Sequence, residues 1–174
     1  MPRLIITDEF SHMGGGEYIS QNYPHLKKEV IEIISTTTIP NKSKYSKEKG
    51  KKGRLVWQGS DFNKPLEKAF KNKNWEKLKH TLEHGWIESD FHKEKIVVEV
   101  QFGKYFSTDT DFIKYEIFHY EDKIDAAIEI IPCYGLHKEF YTGVPNFKTV
   151  VARIKGRGRN NPAVPIWVIG INVK

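Results

Sequence analysis

Hydrophobic positions first recur at helical spacing and later alternate with polar ones, and this change divides the chain into two parts. After a short strand over residues 4–6, apolar residues three and four apart predict helices over 17–34 and 64–83. Alternating positions then predict strands over 86–91 and 95–102, joined by the polar turn 92–94. The first part is therefore predicted to be mainly helical.

The second part continues with a helix that Thr108 or Thr110 could cap and that ends near Tyr120. Residues 126–132 form a nearly continuous apolar run, typical of a central strand buried on both faces. A helix over 144–155 and a strand over 164–171 follow. This order predicts an α/β fold, a mixed central sheet flanked by helices.

Composition narrows the class of protein. The chain has 174 residues, the size of one domain, and its net charge of +6 favours an anionic partner, nucleic acid before acidic membrane. Cys133 is the only cysteine, which excludes an intramolecular disulfide and a thiolate metal cluster. Because no apolar run has the length of a membrane span and the N-terminus lacks a signal-peptide pattern, a cytoplasmic protein with no membrane partner is expected.

Two segments resemble ligand-binding loops. The glycine triplet Gly14-Gly15-Gly16 is similar in composition to a phosphate-binding loop. Because no Walker lysine-serine pair follows it, we interpret the triplet as a flexible joint. Residues 41–52 carry six lysines and almost no apolar residue. This segment is either a solvated loop or a mobile arm that becomes ordered against phosphates.

Carboxylates occupy unusual positions in the predicted strand pair. Glu99 follows Asp90 by nine positions and lies within an apolar run, two residues before Gln101. Because side chains alternate along a strand, Glu99 and Gln101 share one face, and the short turn can bring Asp90 beside them. Two carboxylates on one face suit Mg²⁺, which prefers hard oxygen ligands. Taken alone, the spacing is weak evidence and fits two exposed surface carboxylates better than a metal site.

The same stretch resembles the active-site segment of the BglII and BstYI group of type II restriction endonucleases. In that group, a variant of the PD-(D/E)XK nuclease motif carries glutamine in place of the usual lysine. Similar segments extend over most of the chain: Asp90-Phe91, residues 98–102, Tyr105, Glu116-Ile117-Phe118-His119, residues 4–8, residues 53–75 with Leu55, Asn63 and Trp75, Val164-Pro165-Ile166 and Ile169-Gly170.

The resemblance implies Mg²⁺-dependent, site-specific hydrolysis of double-stranded DNA by a homodimer. It assigns Asp90, Glu99 or a water that Glu99 holds, and the main-chain carbonyl of Val100 to the metal, and it places Gln101 near the attacking water as the third catalytic residue. It also implies a single endonuclease domain over residues 1–174. Residues 1–60 would contain an N-terminal helix and the basic loop, and residues 61–174 the catalytic core.

One departure affects the recognition sequence. The group typically has Ser-Asn after the motif, where this chain has Gly103-Lys104, so the bases that it reads stay open. Glycine-spaced cations at 155–161 suit close approach to DNA, although a solvated loop at a helix end explains them as well. The candidate DNA contacts are Lys51, Lys52, Arg54, Lys104, Arg157, Arg159, Asn160 and Asn161.

Two other functions remain open at this stage. One is a structure-specific repair nuclease on the same core, and the other is a non-catalytic DNA-binding or regulatory protein whose site has decayed. The intact set of Asp90, Glu99 and Gln101 argues against decay.

Overall fold

The structure, a computed structural model, describes residues 1–104 and 106–174. Tyr105, which contributes to the resemblance, lies outside the described residues. The elements in chain order are β1 (Leu4–His12), α1 (Gly15–Asn22), α2 (Pro24–Thr36), β2 (Lys44–Tyr45), β3 (Leu55–Val56), α3 (Ser60–Asn72), β4 (Lys79–Leu82), β5 (Gly85–Glu88), β6 (Phe91–Lys93), β7 (Ile96–Val100), α4 (Ser107–Tyr120), β8 (Ala126–Pro132), α5 (Tyr134–His137), α6 (Phe147–Gly156) and β9 (Ile166–Val173).

A five-stranded mixed sheet in the order β1-β9-β8-β7-β6 forms the centre of the molecule. The strands β7, β8 and β9 are parallel, and β1 and β6 pair with them as antiparallel edges. Every residue of β7 and β8 is buried, as the apolar run at 126–132 predicted for a central strand. The predicted fold class, a mixed sheet flanked by helices, is confirmed.

The two faces of the sheet are covered by different helices. Side chains of α1, α2 and α3 form one core cluster with Val98, Val100 and Phe102. Side chains of α4 and α6 form the second cluster with Val97. The predicted alternation along β7 is therefore confirmed, and Glu99, which follows Val98, lies on the α4 side. None of the described helices is long and apolar enough to cross a membrane.

The glycine triplet is not a flexible joint. Gly14 adopts a positive φ of 69° as the residue before α1, and Gly15 and Gly16 are buried in the first turn of that helix. A Cβ atom on Gly15 would lie 2.4 Å from the backbone of Ile166, so glycine is required for the close approach of α1 to β9. The single helix predicted over 17–34 is interrupted at Tyr23, because Pro24 begins a new helix.

The predictions for residues 64–93 need correction. The helix ends at Asn72, and Lys79–Leu82 form a strand that pairs with Gly85–Glu88 as a separate hairpin. The strand predicted over 86–91 breaks at Ser89 and Asp90, so β7 pairs with the short strand Phe91–Lys93. Helical periodicity failed here because Leu78 and Leu82, four apart, also suit a partly buried hairpin.

The predicted cap of α4 was also wrong, and the structure disfavours one of the two interpretations of the lysine-rich segment. The residue that precedes α4 is Phe106, and both Thr108 and Thr110 lie inside that helix, so neither caps it. The lysine-rich segment packs against residues 139–142: Lys51 donates to the carbonyl of Phe140 at 2.6 Å, and Glu48 accepts from Thr142. These contacts oppose the interpretation of the segment as a mobile arm, because folded partners already hold it.

Candidate active site

Glu99 occupies the centre of the candidate site, near the carboxyl end of β7. Its side chain is 3% exposed, and its neighbours along the strand, Val98 and Val100, belong to the core on the opposite face. In the parallel pairing of β7 with β8, Glu99 lies directly opposite Glu129. The segment Ile96–Val100 forms a strand because its other residues are apolar and β-branched. Glu99 is buried because the whole strand lies inside the molecule.

Asp90 lies between β5 and β6, where the chain changes from the outer hairpin to the central sheet. The Phe91 ring stacks on Phe70 of α3 with centroids 4.3 Å apart, which fixes the backbone next to Asp90. The carboxylate Oδ2 of Asp90 accepts a hydrogen bond from the main-chain N–H of Val100 at 3.0 Å. Asp90 is thereby held against the residue that follows Glu99, but it lies in a break between two strands and not on the partner strand that the sequence predicted.

Two residues of α4, Asp111 and Lys114, complete a buried charge cluster that the sequence analysis missed. The Lys114 ammonium lies 2.5 Å from Glu99 Oε1 and 2.8 Å from Asp111 Oδ1. It also donates to the main-chain carbonyl of Glu88 at 3.3 Å. A signal was present in the sequence, since Asp111 and Lys114 immediately precede predicted core residues of the helix. Such positions border the buried face.

Gln101 is oriented by this cluster and by the loop after β7. Its Nε2 donates to Asp111 Oδ2 at 2.8 Å, and its Oε1 accepts from the N–H of Gly103 at 3.1 Å. The amide has two N–H donors and two acceptor positions, so one of each has no partner among the described residues and can take a further one. Gln101 can therefore orient a water or a phosphate oxygen, although it cannot act as a base.

Burial and like charges perturb the ionisation of the cluster. Burial, followed by the charges of Asp111 and Asp90, raises the pKa of Glu99 well above its usual range. Burial likewise raises the pKa of Asp111, against the opposing effects of Lys114 and Gln101. Burial alone would lower the pKa of Lys114, but the two carboxylates raise it above its usual range and keep the amine protonated.

The oxygen atoms at this position fit a divalent metal ion. Asp90 and Val100 line an open pocket of about 200 Å³, whose other lining residues are Asn63, Glu67, Lys77 and Phe91. Three carboxyl groups, those of Asp90, Glu99 and Asp111, lie in this region beside a single ammonium, that of Lys114. The described residues contain no group of three His, Cys, Asp or Glu side chains with metal-binding geometry. An ion here would therefore rely on two carboxylates, a main-chain carbonyl and exchangeable oxygens, as Mg²⁺ commonly does.

A second buried acid, Glu129, lies next to the cluster on β8. It is fully buried, accepts a hydrogen bond from the hydroxyl of Tyr115 through Oε2, and its Oε1 has no partner among the described residues. Burial, followed by the charge of Asp111, raises its pKa well above the usual range. In the sequence, this residue is visible only as a single acid in the apolar run at 126–132.

The predicted DNA contacts lie in three exposed segments, and some already have protein partners. Arg54 binds Glu139 at 2.7 Å and Arg157 binds Asp109 at 2.6 Å, while the amine of Lys51 binds the Phe140 carbonyl. The other five are exposed: Lys52, Lys104, Arg159, Asn160 and Asn161. Their role in DNA binding stays a prediction.

Comparison with known proteins agrees with this geometry. The family model described as restriction endonuclease BglII/BglIII matches residues 7–171. The chain belongs to the BglII/BglIII restriction endonuclease family. The resemblance inferred from the sequence is thus confirmed, and the chain is a type II restriction endonuclease. No curated protein sequence matches it.

Solved structures of BglII share the fold. The crystal structure of restriction endonuclease BglII complexed with a DNA 16-mer superposes with a TM-score of 0.79 at 20% identity and covers 97% of this chain and 75% of that one. The structure of free BglII gives 0.65 at 18% identity, with coverages of 97% and 78%. Restriction endonucleases of this family generally use a divalent metal ion.

Proposed function

We propose that this BglII-family enzyme cleaves double-stranded DNA at a specific sequence with Mg²⁺ bound by Asp90, Glu99 and the carbonyl of Val100. The observation that carries the proposal is the grouping of three carboxyl groups, Asp90, Glu99 and Asp111, beside an open pocket at the end of β7. When bound, Mg²⁺ would polarise the phosphodiester, lower the pKa of a bound water and offset the charge developing on the phosphate.

The residues of the chain provide position and charge for this reaction. Water attacks phosphorus in line, and the bond to the leaving sugar oxygen breaks. The free N–H and free acceptor position of Gln101 can hold the attacking water or a phosphate oxygen, because the rest of its amide is fixed by Asp111 and Gly103. Asp90 is fixed by the N–H of Val100, so its orientation does not depend on the DNA.

Exposed cations support binding to the DNA backbone. The loop 157–161 borders a cleft of about 590 Å³, with Lys155, Arg159 and Asn160 on one side and Phe10 and His12 on the other. Arginine and asparagine can bind guanine and adenine through paired hydrogen bonds. We assign this loop, together with Lys51, Lys52, Arg54 and Lys104, to DNA contact. We also propose that the protein acts in the cytoplasm, where it meets DNA.

The outer face of α4 supports a homodimer. Thr110, Ile113, Ile117 and Tyr120 are spaced by three, four and three residues, the repeat of a helix–helix seam. Ile113 and Tyr120 are exposed. A two-fold dimer would bury this stripe and would present one active site to each strand of a palindromic site. We retain one endonuclease domain over residues 1–174 for each subunit.

The plasmid digest is the decisive experiment. We expect purified protein with MgCl₂ to cut a mixed-sequence plasmid into discrete bands and to leave it intact in EDTA, and sequencing of the ends gives the site and the stagger. Asp90→Asn should abolish cleavage while DNA binding survives. Asp122→Asn is the matched control, because Asp122 lies in a solvent-exposed left-handed turn that asparagine tolerates. An uncut plasmid, or an active Asp90→Asn protein, would contradict the proposal.

The dimer is tested by sedimentation. Ile113→Glu places a charge in the stripe on α4 and should shift the wild-type dimer towards monomer. Ile31→Glu, at another exposed isoleucine on α2, should not. A monomeric wild-type protein that still cuts both strands would refute the dimer without affecting the endonuclease assignment.

A further inference from the structure

The hairpin formed by β4 and β5 has one face turned away from the core. Thr81 pairs with Trp86 and Lys79 with Glu88, so these four side chains share one face. The residues on the other face point inwards, since Ile87, together with Leu78 at the base of the hairpin, packs on the core cluster of α4 and α6. The first set, Lys79, Thr81, Trp86 and Glu88, is named the hairpin face here.

Trp86 is an unusual residue for such a surface. It is 64% exposed, whereas Trp57, Trp75 and Trp167 are 8%, 2% and 1% exposed. The Lys79 ammonium lies 4.6 Å from the centroid of the Trp86 ring. An aromatic ring stabilises a fold when it is buried, and an exposed ring contributes little to stability. A large exposed ring beside a cation therefore indicates a contact surface.

The hairpin face continues directly from the active-site pocket. Lys77, just before β4, lines the pocket together with Asp90 and binds Glu88 at 2.7 Å. That ion pair offsets the only acid on the hairpin face and leaves the charge of Lys79. After β5 only Ser89, which is buried, separates Glu88 from Asp90. A duplex with its phosphate at Asp90 therefore has this face as an immediate neighbour.

We propose that the hairpin face binds the DNA backbone beside the cleaved phosphate. Lys79 neutralises a phosphate, and the Trp86 ring packs against a deoxyribose. The proposal deepens the endonuclease function, on which it rests, by naming a surface that positions the duplex at Asp90. The partner is the sugar-phosphate backbone, because a lysine beside an aromatic ring offers charge and apolar area without a base-reading fork.

The first test uses the fluorescence of the wild-type protein. Acrylamide quenching reports Trp86 almost alone, since the other three tryptophans are buried. The probe is a duplex with the cut site mapped by the digest, added in EDTA so that it is not cleaved, and binding is followed by the anisotropy of a labelled strand. We expect saturating duplex to protect Trp86 from acrylamide. If the duplex binds and Trp86 stays accessible, the hairpin proposal is wrong while the endonuclease function stands.

Two other results would also overturn the proposal. If Trp86 becomes protected without DNA as the protein concentration rises, the hairpin is a contact between copies of the chain. If no duplex binds in EDTA under any salt condition, the hairpin face does not hold the DNA backbone and the proposal is wrong, whereas the mapped cut site leaves the endonuclease function standing.

The second test uses variants. Lys79→Ala should lower the slope of log K against log salt concentration by about 1, as expected for one lost phosphate contact. Trp86→Ala should weaken duplex binding by about 5-fold. The matched control is Lys28→Ala, an exposed lysine on α2. Equal slopes for Lys79→Ala, Lys28→Ala and wild type would refute the phosphate contact. Because these side chains are exposed, the variants should keep the wild-type melting temperature.

Discussion

Glu99 and Glu129 form a natural comparison, because the same residue occupies directly opposite positions on two adjacent parallel strands. Both side chains are buried, and burial is the main cause that raises the pKa of each. They differ in their partners. Glu99 binds the ammonium of Lys114, whereas Glu129 binds only the hydroxyl of Tyr115 and leaves one oxygen without a partner among the described residues.

This difference separates a site from a structural feature. A buried acid without a cation is most stable in its protonated form, and a protonated carboxyl is a poor metal ligand. The positive charge of a neighbouring lysine stabilises the ionised form of a buried acid, and a bound metal ion would stabilise it further. Burial and a raised pKa are therefore common to both glutamates. The lysine and the nearby pocket at Asp90 distinguish Glu99.

The largest expected difference between the two glutamates is in the rate of DNA cleavage. Glu99→Gln removes a proposed metal ligand and should lower the rate of plasmid cleavage by at least about 10³-fold, since metal-assisted charge stabilisation contributes several kcal/mol. Glu129→Gln, the same change one strand away, should retain cleavage within about 3-fold, because the hydrogen bond of Glu129 goes to the Tyr115 hydroxyl and not to Lys114 or Gln101. Single-turnover cleavage of the mapped duplex measures both rates.

The outcome that would contradict this assignment is a matched loss. If both variants lose cleavage equally while both retain the wild-type circular dichroism and melting temperature, Glu129 belongs to the catalytic machinery. If Glu99→Gln is active, Glu99 does not hold the metal.

The next effect concerns the cation that distinguishes the two acids. Lys114→Met would leave Glu99 and Asp111 buried without a counter-charge, and removal of one partner of a buried pair costs about 3 kcal/mol of unfolding free energy. Lys114→Arg keeps the charge and should recover part of the loss. Urea unfolding measures each value.

The control for this prediction is an exposed lysine–glutamate pair. Lys71→Met breaks the pair with Glu67 on the surface of α3 and should cost no more than about 0.5 kcal/mol. Equal costs for Lys114→Met and Lys71→Met would mean that the cluster around Glu99 is hydrated and that its charges need no internal partner.

The sequence predicted the fold class and the positions of Asp90, Glu99 and Gln101 because these features are local or follow from strand alternation. Hydrophobic periodicity specifies which face of β7 is apolar, so the shared face of Glu99 and Gln101 could be derived without a structure. The family motif then identified Asp90, on the preceding segment, as the second acid of the site. No long-range information was needed for this part of the site.

Lys114, Asp111 and Glu129 could not be predicted in the same way. Their contacts depend on how α4 lies across β7 and β8, and the crossing of a helix over a sheet is set by packing of the whole face. In the sequence, the positions of Asp111 and Lys114 next to core residues show that they border the buried face of the helix, but not which residues they meet across it. The hairpin β4–β5 was missed for another reason. Leu78 and Leu82 are four residues apart, a spacing that is also typical of a helix, so a helix was predicted there.

The smallest expected effect sharpens the comparison through pH. The pKa of Glu129 is raised in the fold above its usual value of 4.5 by burial and by the charges of Asp111 and Glu99, while the Tyr115 hydrogen bond and Lys114 oppose the shift. The folded state therefore binds this proton more tightly than the unfolded state. Its contribution to stability is complete below pH 4.5 and is lost as the pH rises through the raised value.

Glutamine has no proton to lose at this position. The unfolding free energy of Glu129→Gln, relative to wild type, should therefore increase as the pH rises from 5 to 9, because only the wild type loses a buried proton over this range. Urea unfolding at pH 5, 7 and 9 gives the difference, and Glu121→Gln, an exposed residue just after α4, is the control. If Glu129→Gln and wild type keep a constant difference across this range, Glu129 is ionised in the folded protein. It would then need a positive partner as Glu99 does, and the two glutamates would no longer represent different kinds of buried acid.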